Sequence, residues 1–76
     1  MNVFEQVKGL ISSQLRIDPS TITLESRLLE DLRADSANVM MLVMDLEQEL
    51  GVTMEDDALV KLKTVGDVVS YIEANL

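Results

Sequence analysis

One stretch limits what this chain can become. From Val39 to Leu50 there is no proline and no glycine, and strong helix formers dominate. Gly51 follows at once, and glycine is the usual residue just past a helix C-terminus. Upstream, Asp35-Ser36 supplies two good capping side chains, whose oxygens can accept from the free N–H groups of a first turn. The pattern predicts a helix from about 36 to 50. At about 100° per residue, Val39, Leu42, Val43, Leu46 and Leu50 share one side. Ala37, Met40, Met41 and Met44 fall towards the other, where an ordinary surface helix is polar. Acids come only later, at Asp45, Glu47 and Glu49. Such a helix is either buried on both sides or keeps one face for something that docks.

The rest of the chain supplies partners for it. Val3, Val7, Leu10, Ile11 and Leu15 form one amphipathic stripe, so a first helix is expected over about 2–15, with Asn2 as its cap. Asp18-Pro19 rules out a continuation, because a residue before proline avoids the helical region. The segment 16–35 has no long period but carries Ile17, Ile22, Leu24, Leu28, Leu29 and Leu32. It reads as a long connection pinned to the core at several points, with a helical turn near Leu28. Gly51-Val52-Thr53-Met54 reads as a turn with two apolar anchors. Glu55-Asp56-Asp57 precedes Ala58 to Lys63, and acids first with lysines last match the helix dipole. A short third helix is therefore expected at about 56–62. Thr64 and Asp67 form an approximate capping box. Val65, Val68, Val69, Ile72 and Leu76 then give the stripe of a fourth helix over about 65–75. No segment alternates like a strand, and no hairpin dipeptide occurs. The fold expected is all-α: one domain over 1–76, a small four-helix bundle of three longer helices and one short one, with a long first loop.

Composition narrows the chemistry. Fourteen acids against six bases give a net charge of −8. That argues against nucleic acid, whose phosphates need clustered Lys and Arg, and favours partners with basic docking surfaces. There is no cysteine and no histidine, so disulfides, thiolate metal sites and the commonest general base are all excluded. Asp31 and Asp35 hint at a calcium loop, but Arg33 stands where a ligand is needed and Leu42 where the bidentate glutamate belongs. Glu55-Asp56-Asp57 reads as a solvated helix start, and no metal site is expected. The serines have no partner base, and Lys8, Lys61 and Lys63 fall on faces read as exposed; no catalysis by the chain alone is expected. No apolar run approaches a membrane span of ~18 residues, and the N-terminus lacks the regions of a signal peptide. A soluble cytoplasmic protein is expected.

What remains is Ser36 at the head of a helix. Its plainest role is the N-cap itself. A phosphate ester there would also be favourable, because first-turn N–H groups and the dipole both face it. Glu30-Asp31-Leu32-Arg33-Ala34-Asp35-Ser36, followed by a helix holding Leu42-Val43-Met44 and ending Leu46-Glu47-Gln48-Glu49-Leu50, resembles the acyl carrier protein family. The hallmark of that family is Asp-Ser-Leu preceded by Asp-Leu-Gly-Ala or similar. The resemblance covers the whole chain, including its length, its acidity, its long first loop, and Thr64-Val65-Gly66-Asp67 with Tyr71-Ile72. It implies that a separate transferase esterifies Ser36 with 4′-phosphopantetheine from coenzyme A. The thiol of the arm would carry acyl groups as thioesters between loading and using enzymes, in fatty acid, lipid or polyketide-type biosynthesis. Ser36 would be an attachment point and not a catalyst, and Asp35 would help the transferase dock. A monomer is expected.

The departures from the family pattern matter. Ala37 stands where leucine is usual, Arg33 where glycine is usual, and Asn38, Met40 and Met41 where the early helix is typically acidic. Methionine surface is adaptable and apolar. The expectation is a specialised carrier for a dedicated partner set, docking through Ala37, Met40, Met41 and Met44 with Glu47 and Gln48. Its aliphatic interior would admit an acyl chain among Leu32, Val43, Leu46, Val60, Leu62 and Val68. The alternative is an interaction module of the same fold, with Ser36 unmodified and a partner bound on the Met40, Met41 and Met44 face.

Overall fold

The chain starts its first helix where a side chain can satisfy a free N–H. In the computed structural model, which describes residues 2–55 and 61–76 apart from the side chain of Ser36, Asn2 Oδ1 accepts from the Glu5 N–H at 3.2 Å. Helix α1 runs Val3–Leu15. It ends at Arg16, which adopts the left-handed conformation at φ 56° and donates its N–H to the Ser12 carbonyl. Ser12 Oγ donates to the Ile17 carbonyl at 2.8 Å and closes the turn. Val3, Val7 and Ile11 carry the buried stripe, with Phe4, Leu10 and Leu15 half-covered beside them. Lys8 departs from the exposed setting read for it. It is half-buried, pairs with Glu5 at 3.2 Å, and lies 5.2 Å from the Phe4 ring centre.

The long first loop is ordered by a few anchors. Asp18 caps a short 3₁₀ turn, Pro19–Thr21, through the Ser20 N–H. Asp31 N–H donates to the Arg27 carbonyl at 2.9 Å, so a helical turn does form around Leu28. Ile22, Leu28 and Leu32 are buried and Ile17 is half-buried. Leu24 and Leu29, which the sequence places among the anchors, are instead 48% and 60% exposed. The reason is a pairing the pattern of apolar residues does not encode. The loop lies against the stretch before the last helix: Leu28 N–H donates to the Lys63 carbonyl, Val65 N–H to Ser26, and Gly66 N–H to Leu24, all at 2.8–2.9 Å. These backbone bonds fix which side chains turn inward.

Helix α2 spans Ser36–Leu50 and stops at Gly51, whose φ of 68° is the left-handed cap glycine accommodates without a Cβ clash. Leu42, Val43 and Leu46 are buried, with Val39 and Leu50 at the margin. Val52 and Met54 anchor the next turn. The short helix expected at about 56–62 falls largely on 56–60, outside the described residues; Lys61 and Leu62 lie in a turn and an irregular link. Helix α3, Val65–Ala74, opens with the full capping box of Thr64 and Asp67 and buries Val65, Val68, Val69 and Ile72. Helix α1 packs against both α2 and α3, and among the described residues the buried core is aliphatic with one methionine, Met54. Among the described residues the architecture is three helices and no strand.

Candidate functional site

The head of α2 is built from its backbone outward. Leu32 and Ala34 are buried, and the Ala34 N–H donates to the Leu28 carbonyl at 3.0 Å. Between them Arg33 takes φ 58°, a conformation L side chains seldom adopt. This reversal carries the chain out of the core and into the helix. Asp35, and not Ser36, is the N-cap: its Oδ1 accepts from the Asn38 N–H at 2.8 Å. Asn38 Oδ1 returns the contact by accepting from the Asp35 N–H at 3.4 Å, completing a capping box. Asparagine takes the position a glutamate usually holds in such a box. The plainest reading of Ser36, as the cap, is therefore corrected; Ser36 is the first residue of the helix proper. A modified serine there would sit against outward-facing first-turn N–H groups and the positive end of the dipole.

The face expected to meet partners is open. Ala37 and Gln48 are exposed, and Met40, Met41 and Met44 are 46%, 58% and 55% exposed. The acids of α2 are partly committed elsewhere. Asp45 is half-buried and accepts from the Gln14 side chain, tying α2 to α1. Glu47 is half-buried, and its Oε2 accepts from the Met54 N–H at 3.0 Å, holding the loop after the helix. The front of the helix is thus methionine with little free charge.

The acyl-lining candidates occupy the core. Leu32, Val43, Leu46 and Val68 are buried and belong to one packed cluster, with Leu62 half-covered against it; Val60 lies outside the described residues. An opening exists elsewhere. A cleft of about 540 Å³ is lined by Gln14, Leu15, Ile17, Asp31, Leu32, Arg33 and Asn38, beside the head of α2. Of these lining residues, the sequence points to Leu32 alone as an acyl-chain contact. The signal for the rest is faint: Leu15 ends the first stripe, Ile17 opens the long loop, and Arg33 is a departure at a glycine position. Asp31 on the rim is held by Arg27, whose Nε and Nη2 lie 3.2 and 3.1 Å from its two oxygens. The Arg27 side-chain contact, helped by the Arg27 N–H, lowers the Asp31 carboxyl below its ordinary pKa.

Among the described residues no group of three or more acids could hold a metal ion. No described helix is long and apolar enough to cross a membrane. The chemistry on offer is a serine at a helix start, a capping carboxylate, a cation and a cleft.

Comparison with known proteins points the same way. The family profile described as a phosphopantetheine attachment site matches residues 5–72. The acyl carrier protein of Thermotoga maritima is 50% identical over 74 residues, covering 97% of this chain and 91% of that one. The acyl carrier protein of Helicobacter hepaticus is 48% identical over 75 residues, covering 99% of each. A solved structure of acyl carrier protein from Enterococcus faecalis, 36% identical, superposes with a TM-score of 0.84 over 97% of this chain and 94% of that one.

Proposed function

The chain belongs to the acyl carrier protein family, and from that premise we propose that Ser36 is the residue that bears its arm. Members carry a covalently attached 4′-phosphopantetheine and are carriers, not enzymes. When bound, that group supplies a thiol that holds acyl cargo as a thioester. The chain's part is to present an attachment oxygen, to hold the helix that carries it, and to be recognised. The supporting observation is the position of Ser36 as first residue of α2, released from the capping role that Asp35 fulfils. With neither histidine nor cysteine in the chain, activation of the hydroxyl falls to the transferase.

The exposed Met40, Met41 and Met44 support a finer reading: a dedicated set of loading and using enzymes in fatty acid, lipid or polyketide-type biosynthesis. Their docking surfaces would present more apolar area than a purely basic patch. The chain would work as a monomeric single domain in the cytoplasm, approached in turn by each enzyme. Leu32, Val43, Leu46, Leu62 and Val68 remain the residues that would part to admit an acyl chain.

Intact mass after incubation with coenzyme A and a broad-specificity transferase tests the attachment. One phosphopantetheinyl group should be gained, and Ser36→Ala should abolish the gain. A Ser36→Ala chain that is still modified would move the arm elsewhere. No gain with any transferase would leave the interaction module. The dedicated partner set is tested by competition. A general fatty acid ketosynthase that uses this chain as well as its housekeeping carrier would overturn it.

A further inference from the structure

The cleft beside α2 combines aliphatic, amide and charged side chains. Leu15, Ile17 and Leu32 give its lining an aliphatic part. Gln14 and Asn38 add two amide side chains to the lining, and Arg33 adds a guanidinium. Among the described residues Arg33 takes part in no ion pair, and the one carboxylate on the rim, Asp31, is already engaged by Arg27. Gln14 donates to Asp45, which holds its amide at the wall. Two of the lining residues, Arg33 and Asn38, flank Ser36 at three residues before and two after. A volume of about 540 Å³ lies within the roughly 300–1,000 Å³ of pockets that hold drug-sized molecules. That is the size class of a phosphopantetheine group.

We propose that this cleft is a resting site for the arm, with Arg33 as the residue that holds its phosphodiester. The inference rests on attachment at Ser36. The residues present match the group part by part. A guanidinium is suited to a phosphate because it is planar, always charged and weakly hydrated. The aliphatic lining residues suit the geminal methyl groups, and the two side-chain amides suit the arm's own amides. Arginine at a left-handed position is then explained by what its side chain does, since the backbone there prefers glycine. None of Met40, Met41 and Met44 lines the cleft, so an arm held there would not cover them.

The experiment compares the unmodified and phosphopantetheinylated chains, isotopically labelled, by NMR at low ionic strength. Intact mass confirms the modification. Methyl–methyl contacts should appear from the arm to Leu15, Ile17 and Leu32, with shifts at Gln14 and Arg33. Because an exposed ion pair is screened by salt, the same contacts should weaken at least about twofold in 0.5 M salt. Arg33→Gln should weaken them similarly at low salt, with core methyl shifts unchanged. Contacts to Met40, Met41 and Met44 in their place, no contacts at all, or contacts indifferent to both salt and Arg33→Gln would overturn the proposal. The salt series on the unaltered chain decides the matter if the variant folds poorly. A chain that gains no mass overturns the attachment reading along with this one; a modified chain with an empty cleft overturns this one alone.

Discussion

Arg33 and Gly51 are opposite solutions to one backbone problem. Both adopt a left-handed conformation, at φ 58° and 68°. An L side chain there costs roughly 1–2 kcal/mol, while glycine costs about 0.5–1 kcal/mol through the freedom it adds to the unfolded chain. The difference favours glycine. Arg33→Gly should therefore raise the stability of the unmodified chain by about 0.5–1 kcal/mol, seen as a higher midpoint in urea. Gly51→Ala should lower it by about 1 kcal/mol. A drop for Arg33→Gly would mean that the arginine side chain makes contacts worth more than the strain. Asp35 divides in the same way between two duties. Asparagine caps a helix as well as aspartate does, so Asp35→Asn should leave the melting temperature nearly unchanged, whereas Asp35→Ala should cost about 1 kcal/mol. If its charge also draws the transferase, kcat/KM for phosphopantetheinylation should fall in both variants. A rate unaffected by Asp35→Asn would confine this residue to capping.

At the level of elements, the three long helices were legible because each is bounded by its own chemistry. Asn2, Asp35 with Asn38, and Thr64 with Asp67 all cap within three residues. Each helix also repeats its buried residues at a helical period. The first loop was not legible in the same way. Its six aliphatic residues look alike in the sequence, yet only Ile22, Leu28 and Leu32 are buried, because pairing with residues 63–66 selects them. That pairing joins residues some forty positions apart, beyond any local pattern. The cleft was missed for the same reason, since its walls come from the end of α1 and from the loop. At Gly66 the loop and the helix meet through the Gly66 N–H bond to the Leu24 carbonyl, at 2.8 Å. A Cβ placed there would lie 2.9 Å from the Leu24 carbonyl oxygen, a backbone atom with no room to rotate away. Gly66→Ala should push the loop off the head of α3, break the Gly66 N–H bond to Leu24, and cost about 1–3 kcal/mol. Chemical denaturation measures the loss. An unchanged midpoint would mean the loop is not held by this approach.

At the scale of the molecule, net charge and the carboxylates the fold favours pull stability in opposite directions as pH falls. The net charge of −8 makes the folded chain repel itself, and protonating acids relieves that. Against it stand carboxylates whose charge the fold favours. Asp67 accepts from the Lys63 and Thr64 N–H groups at 3.0 and 3.1 Å, and these bonds hold its pKa below the ordinary 3.8. Asp31 is lowered by Arg27, and Asp18 by the Ser20 N–H and hydroxyl. A carboxyl lowered on folding stabilises the native state above its unfolded pKa. That contribution fades as pH falls through the folded value. Stability at low ionic strength should therefore fall as pH drops below about 4, the range in which these lowered carboxyls lose their charge, with relief of the repulsion opposing that fall. Added salt should raise the neutral-pH midpoint by screening the repulsion. The acid limb can be assigned to a residue. Asp67→Asn keeps an acceptor for the two N–H groups but removes the charge that strengthens them, so it should destabilise the chain at pH 7 and hardly at all near pH 2. Urea midpoints of the two chains at both pH values make the comparison. An equal loss at both would mean that Asp67 acts through shape and not through its charge.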